Sequence, residues 1–309
     1  MTETRKAWST ARALAGVFVP ATSPFDPVTG DLDVVALRAN LRRVLAAPVQ
    51  GVVIGGTTGE ALLLTRAERR AAIGAAAELL GDGRLLIAGT GAESTRETIR
   101  LSGEAADAGA DAVLVQPPAY YRKAMTGRLL ARHYRAVADS SPLPVILYQA
   151  PLSCSTLELS TPLVAALSEH PRIIGIKDSR GKLPALGEHL AAVADGFRVL
   201  VGNGAMLYAA LEMGAAGGIL GVANLVPESA AGIYRCHRDG RHAEAGRIQE
   251  RIGPLHNGIV VALGVPGVKA ALDLLGATGG VPRPPLAPPY APGVDRIRNL
   301  LVSAGVDTG

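Results

Sequence analysis

The sequence predicts an α/β fold, a closed (β/α)8 TIM barrel followed by a C-terminal helical region. Three observations carry this expectation. Eight short apolar runs recur along the chain, stretches rich in Ala, Leu, Arg and Glu at helical spacing separate them, and the rhythm stops after the eighth run. Continuous rather than alternating apolar runs mark parallel strands buried on both faces. Eight such units in 309 residues fit a closed barrel better than an open sheet. A doubly wound sheet would want a Gly-x-Gly-x-x-Gly turn opening a helix after the first strand. Here that strand runs into Pro20 and Pro24, which block an immediate helix.

In chain order the strands are expected over residues 16–20, 51–54, 85–89, 112–116, 145–149, 173–177, 198–202 and 217–221. Helical spacing is plain in stretches such as 66–80 and 96–108. From about Pro227 to Leu275 the chain reads as successive helices. Residues 279–292 are Pro-rich and must be extended or looped, and a last short helix is expected over 293–303. The barrel is thus assigned to residues 10–226 and the helical region, packed on it rather than tethered, to 227–309.

Composition excludes several classes. A hydrophobic share of 48% against 19% charged residues argues for a packed core and against disorder. The 37 glycines and 21 prolines show no three-residue period, so the chain is not collagen-like. The net charge of +4 comes from arginines spread along the chain, with no run that reads as a nucleic-acid or membrane patch. Cys154 and Cys236 are too few for a disulfide framework and neither lies in a CxxC pattern. No window reaches eighteen apolar residues and no signal peptide is legible, so the chain is expected to be soluble and cytoplasmic. Its six histidines form no HxxxH or HxH pair, so no metal is expected.

In such barrels the active site is built at the C-terminal ends of the strands. Lys177 ends the sixth run, and it is one of only five lysines among 31 basic residues. Where a plain positive charge suffices, this sequence uses arginine, which cannot lose its proton; a desolvated lysine can, and can then attack a carbonyl to give a Schiff base. Strand parity predicts that Gly175 and Ile173 share its inward face. The competing reading is a lysine snorkelling from the barrel mouth or paired with Asp178. Tyr148 ends the neighbouring strand at matching height, and its phenol could shuttle protons or simply be a core aromatic. The turn Gly55-Gly56-Thr57-Thr58-Gly59-Glu60 offers backbone N–H groups and two hydroxyls suited to a carboxylate. It could equally be a strand-to-helix turn with a capping threonine. Cys154 carries no nucleophile signature and reads as a small buried or loop residue.

Together with Thr22-Ser23-Pro24-Phe25 after the first strand, these motifs form an ordered set. It comprises Gly56-Thr57-Thr58-Gly59-Glu60, Tyr148 with Pro151 three later, Gly175-Ile176-Lys177-Asp178, Gly218-Ile219, Ala223-Asn224 and Gly267-Val268-Lys269-Ala270-Ala271. Over almost its whole length the chain resembles the dihydrodipicolinate synthase/N-acetylneuraminate lyase family of class I aldolases. The resemblance implies that Lys177 forms a Schiff base with pyruvate or another 2-oxo acid and that Tyr148 relays protons. Thr57 and Thr58 would hold the substrate carboxylate and orient Tyr148, and Ile219 would line the pyruvate pocket. Tyr120 would match the family tyrosine that reaches across a subunit interface into the neighbouring site. It further implies a homotetramer built as a dimer of dimers, with no cofactor and no metal.

Within the family, synthases that condense pyruvate with aspartate semialdehyde usually carry an arginine shortly after the tyrosine–proline motif. Here Pro151 is followed by Leu152-Ser153-Cys154-Ser155-Thr156, with no arginine before Arg172. The segments at 88–95, Tyr120-Tyr121-Arg122 and Lys177-Asp178-Ser179 look more like the 4-hydroxy-2-oxoglutarate aldolase branch, in which Ser179, Asn203 and Ser153 would sit near the distal end of the substrate. The expected function is a Schiff-base pyruvate aldolase of that kind, with an aldehyde as second substrate. The alternatives are the synthase itself, a sugar-acid dehydratase of the same family, or a non-catalytic barrel that only binds 2-oxo acids.

Overall fold

The structure is a computed structural model and describes residues 10–155 and 157–308. Eight parallel strands close into a barrel in sequence order. They are β1 (Gly16–Pro20), β2 (Gly51–Ile54), β3 (Leu85–Gly89), β4 (Ala112–Val115), β5 (Val145–Gln149), β6 (Ile173–Asp178), β7 (Arg198–Val201) and β8 (Gly217–Ile219). The expected strands differ from these by two residues at most, always at the C-terminal ends.

Nearly every strand residue is buried, because each strand has a core on both sides. Phe18, Val53, Ile87, Leu114, Ile146, Leu200 and Ile219 fill the barrel interior. Their neighbours Val17, Val52, Leu86, Val113, Leu147 and Val199 face outward and pack with helix residues such as Leu41, Ile73 and Val137. Fully burying one such aliphatic side chain contributes about 1.5–3 kcal/mol, so this doubled core is the main source of stability.

One strand breaks the alternation. The pairing of β5 with β6 shifts register, Val145 facing Ile173 but Ile146 facing Gly175. The extra residue turns Ile174 into the interior and Ile173 out to the helix layer. The expectation that Ile173 shares the face of Lys177 is therefore corrected. Above the bulge the register is regular and pairs Tyr148 with Lys177.

Helices between strands begin where the sequence supplies caps. Thr65 and Glu68 form a capping box at the start of the helix Arg66–Ala77, and Ser94 and Thr126 cap Thr95–Asp107 and Gly127–Ser140. The seam of the barrel depends on Gly217: its φ is +148°, and a Cβ there would fall 2.0 Å from the Gly16 carbonyl oxygen. Asn224 holds the same seam by donating from Nδ2 to the Pro20 carbonyl at 2.8 Å.

After β8 the chain continues as the helices Pro227–Arg238, His242–Leu255, Gly264–Leu274 and Ala291–Ser303, with a π-helical turn at His256–Val261. Lys269 fixes this region to the barrel. Its buried Nζ donates to Glu60 Oε1 (2.7 Å) and to the carbonyls of Ser23 and Val281 (2.8 Å each). Among the described residues no helix is long and apolar enough to cross a membrane.

Candidate active site

A cavity of about 390 Å³ opens where the strands end. Lys177, Tyr148, Thr57, Thr58, Ser179, Asn203 and Ile219, expected as site residues from sequence, all line it, as does Ser153. Tyr120 does not. It stands on the loop after β4, 81% exposed, its ring edge-on to Tyr121 at 5.1 Å. Glu93 fixes that loop by accepting from the backbone N–H of Tyr120 at 2.9 Å.

Lys177 is neither snorkelling nor paired with Asp178. Its side chain turns inward at 5% exposure, while Asp178 turns outward to accept a bidentate pair from Arg180, with His189 packed behind. Burial without a carboxylate partner holds the Lys177 amine down at about 8. Its Nζ lies 4.4 Å from the centroid of the Tyr148 ring, close enough for the ring face to favour the cationic form.

Tyr148 is buried to 4% exposure and its hydroxyl lies 3.1 Å from Thr57 Oγ1. Burial pushes the phenol up to about 12, while the hydroxyls of Thr57 and Ser179 pull the other way. The phenol keeps its proton at neutral pH and stands in a hydrogen-bonded position to lend it.

The Thr57-bearing turn is built by long-range contacts. Thr57–Gly59 forms a single 3-10 turn that ends in Glu60 at a φ of 54°. A left-handed residue with a side chain costs about 1–2 kcal/mol. Here it is held by Lys269 and by the Arg283 N–H, which donates to Glu60 Oε2 at 2.8 Å. Ser23 of the Thr22-Ser23-Pro24-Phe25 segment donates to the Gly59 carbonyl at 2.8 Å. The next α-helix is capped by Thr65, so neither Thr57 nor Thr58 is spent on a cap.

Several participants were not anticipated from sequence. His256, Val260, Val265 and Val268 close the cavity from the C-terminal region. His256 Nδ1 accepts from the Gly204 N–H at 3.3 Å, and burial lowers the imidazole to about 4, so it is neutral. Arg180 borders the cavity with its guanidinium committed to Asp178. Cys154 is a loop residue as expected, but exposed and on the cavity wall. Gly202 leaves room for Ser179, whose Oγ would lie 1.8 Å from a Cβ there. The C-terminal wall had no local signal in the sequence.

A closed parallel barrel with a desolvated lysine, a buried tyrosine and paired threonines at the strand ends is the architecture of a Schiff-base enzyme. The dihydrodipicolinate synthetase family profile matches residues 13–302, and the chain belongs to that family. It is thus a class I, pyruvate-dependent aldolase or lyase. It is 37% identical over 278 residues to a probable mitochondrial 4-hydroxy-2-oxoglutarate aldolase of Emericella nidulans, covering 89% of each chain. It is 35% identical over 276 residues to a 4-hydroxy-tetrahydrodipicolinate synthase of Methanoculleus marisnigri, covering 89% of this chain and 93% of the relative. The pyruvate complex of dihydrodipicolinate synthase from Acinetobacter baumannii superposes with a TM-score of 0.90 at 30% identity, covering 95% of this chain and 99% of that one.

Proposed function

We propose that the chain is a 4-hydroxy-2-oxoglutarate aldolase-like enzyme in which Lys177 carries pyruvate as a Schiff base. The observation that supports this most is the inward, unpaired amine of Lys177, held down at about 8 and facing a tyrosine whose hydroxyl is tied to Thr57. Near neutral pH a useful fraction of that amine is uncharged.

In the condensing direction, Lys177 Nζ attacks C2 of pyruvate while Thr57 and Thr58 hold its carboxylate. Tyr148 passes the proton that the attacking amine loses on to the C2 oxygen, and then gives its own proton as that oxygen leaves as water, so that the C2–O bonds are replaced by C=N. The cationic iminium then acts as electron sink: a C3 proton passes to the Tyr148 oxygen, which has just given up its own, and the C3–H electrons form the C2=C3 bond of a neutral enamine. The enamine carbon attacks the aldehyde carbonyl, forming the C–C bond, and the new alkoxide takes a proton through Tyr148. Water then releases the product and returns the amine. Cleavage is the reverse sequence. Ile219 lines the methyl side of the pocket, and Ser179, Asn203 and Ser153 meet the distal end of the longer substrate with neutral donors.

Two features favour this branch over the synthase. The loop after Pro151 places Leu152, Ser153 and Cys154 on the cavity wall and no arginine. The bordering Arg180 spends its guanidinium on Asp178. The relative from Emericella nidulans carries the aldolase name. The exposed Tyr120–Tyr121 pair supports an assembly in which Tyr120 reaches a neighbouring subunit's site in a homotetramer. The proposal keeps the cytoplasmic placement expected from sequence, with cell fractionation as its test, since that same relative is named mitochondrial.

The test is a direct comparison of two reactions on the purified full chain. Release of pyruvate from 4-hydroxy-2-oxoglutarate should exceed condensation of pyruvate with aspartate semialdehyde in kcat/KM. The reverse order, together with rescue of a diaminopimelate auxotroph, would assign the synthase instead.

A further inference from the structure

We propose that Glu212, His237 and His242 form a binding site for a divalent transition-metal ion of the zinc type, separate from the catalytic cavity. One ligand atom from each lies within 4.8 Å of the other two. His237 Nε2 and His242 Nδ1 converge on the same carboxylate oxygen, Glu212 Oε1, at 2.9 and 3.0 Å. Zinc–nitrogen and zinc–oxygen bonds of about 2.0–2.2 Å place tetrahedral ligands roughly 3.3 Å apart, so a small outward relaxation of the two rings admits an ion.

The ligands come from three elements that the fold brings together. Glu212 ends the helix after β7, His237 is in the last turn of Pro227–Arg238, and His242 opens the next helix. Helices that follow barrel strands run back toward the strand N-termini, so the cluster lies at the end of the barrel opposite the cavity. None of the three residues lines that cavity.

The surroundings suit a cation. The negative end of the twelve-residue helix Pro227–Arg238 points at the site. The nearby arginines are already engaged, Arg238 with Asp239 at 3.0 Å and Arg241 with Glu244 at 2.7 Å. Tyr208 packs edge-on against His237 with ring centroids 6.3 Å apart, which fixes the imidazole plane. Glu212 and His242 are exposed, which leaves a solvent-facing position for water as fourth ligand. Two imidazoles and one carboxylate are the ligand set that zinc, and more weakly cobalt, accepts. The ion would tie the helices after β7 and β8 to each other, and it takes no part in the Schiff-base chemistry.

The experiment is calorimetric titration of Zn2+ into the tag-free full chain after stripping with EDTA, with unfolding temperature as a second readout. The proposal expects one ion per chain and a rise in unfolding temperature. It expects H237Q, H242Q and E212Q each to weaken binding by more than about tenfold. H170Q, which alters a separate histidine paired with Asp139, should leave binding unchanged. No binding by the wild-type chain, or binding that survives any one of the three ligand substitutions unaltered, would overturn it. Far-ultraviolet spectra of the stripped variants establish that a loss of binding is not a loss of fold.

Discussion

Lys177 and Tyr148 are directly paired residues on adjacent strands, and the Lys177 amine sits 4.4 Å from the centre of the Tyr148 ring. The pairing depends on the bulge lower in β6, which lets Ile174 fill the interior while Lys177 still points inward. Chemistry and packing are therefore set by one register.

The lowered Lys177 amine links activity and stability to pH. Adduct formation with pyruvate at low, fixed pyruvate should rise with pH and level off above about 8, read as the initial rate of trapping. The stability effect has a defined sign. The folded state holds this proton less tightly than the unfolded chain, so the cost of burying the cation is fully present below about pH 8 and disappears as pH rises past the ordinary lysine value of 10.5. Lys177→Met should accordingly be inactive yet more stable at pH 7, by on the order of 3 kcal/mol. Denaturant titrations should show that gain shrinking toward pH 10. A variant equally stable to wild type at pH 7 would mean that the amine is not desolvated.

Tyr148→Phe removes one hydroxyl and keeps the ring that packs against Lys177. The expected loss in kcat is about 10²–10⁴-fold, the usual worth of a positioned proton carrier. Stability should change by only about 1 kcal/mol, since a single hydrogen bond to Thr57 is lost. Thr57→Val should reproduce part of the kcat loss and also raise KM for pyruvate. Steady-state kinetics that show Tyr148→Phe at wild-type rate would remove the phenol from the mechanism.

Lys269 is expected to act on the substrate turn from a distance. Its side chain and that of Glu60 are almost wholly buried, and Lys269→Met would leave the Glu60 carboxylate with only the Arg283 N–H. Breaking one side of such a pair costs about 3–5 kcal/mol. Because Glu60 closes the turn that carries Thr57 and Thr58, KM for pyruvate should rise more than kcat falls. The double variant Glu60→Gln with Lys269→Met should recover most of the stability. Thermal unfolding and pyruvate titration of the three variants check both points.

The barrel was legible because each of its strands is a local apolar run and the run ends name the site. Lys177, Tyr148, Thr57 and Thr58 could be found that way because strand ends in a barrel converge. What could not be read depends on distance in the chain or on irregular backbone. The bulge that turns Ile173 outward has no mark in the sequence Ile173-Ile174-Gly175. His256 and Val260 reach the cavity through a π-helical turn more than thirty residues past the last strand. Lys269 was visible only as part of a motif, and its partner Glu60 only as the end of a glycine-rich turn, until the fold set them 2.7 Å apart. His237 and His242 are separated by four residues, a spacing zinc sites use, but neither forms an HxH or HxxxH pair and their third partner, Glu212, lies 25 residues upstream of His237.

The central claim is that Lys177 is the residue that carries pyruvate. Borohydride reduction of the full chain in the presence of pyruvate, followed by peptide mass spectrometry, tests it most directly. The account predicts one reduced pyruvyl adduct per chain on the peptide containing Lys177, and none in Lys177→Ala. An adduct on Lys182 or Lys269, or a folded wild-type protein that acquires no adduct near pH 8, would contradict it.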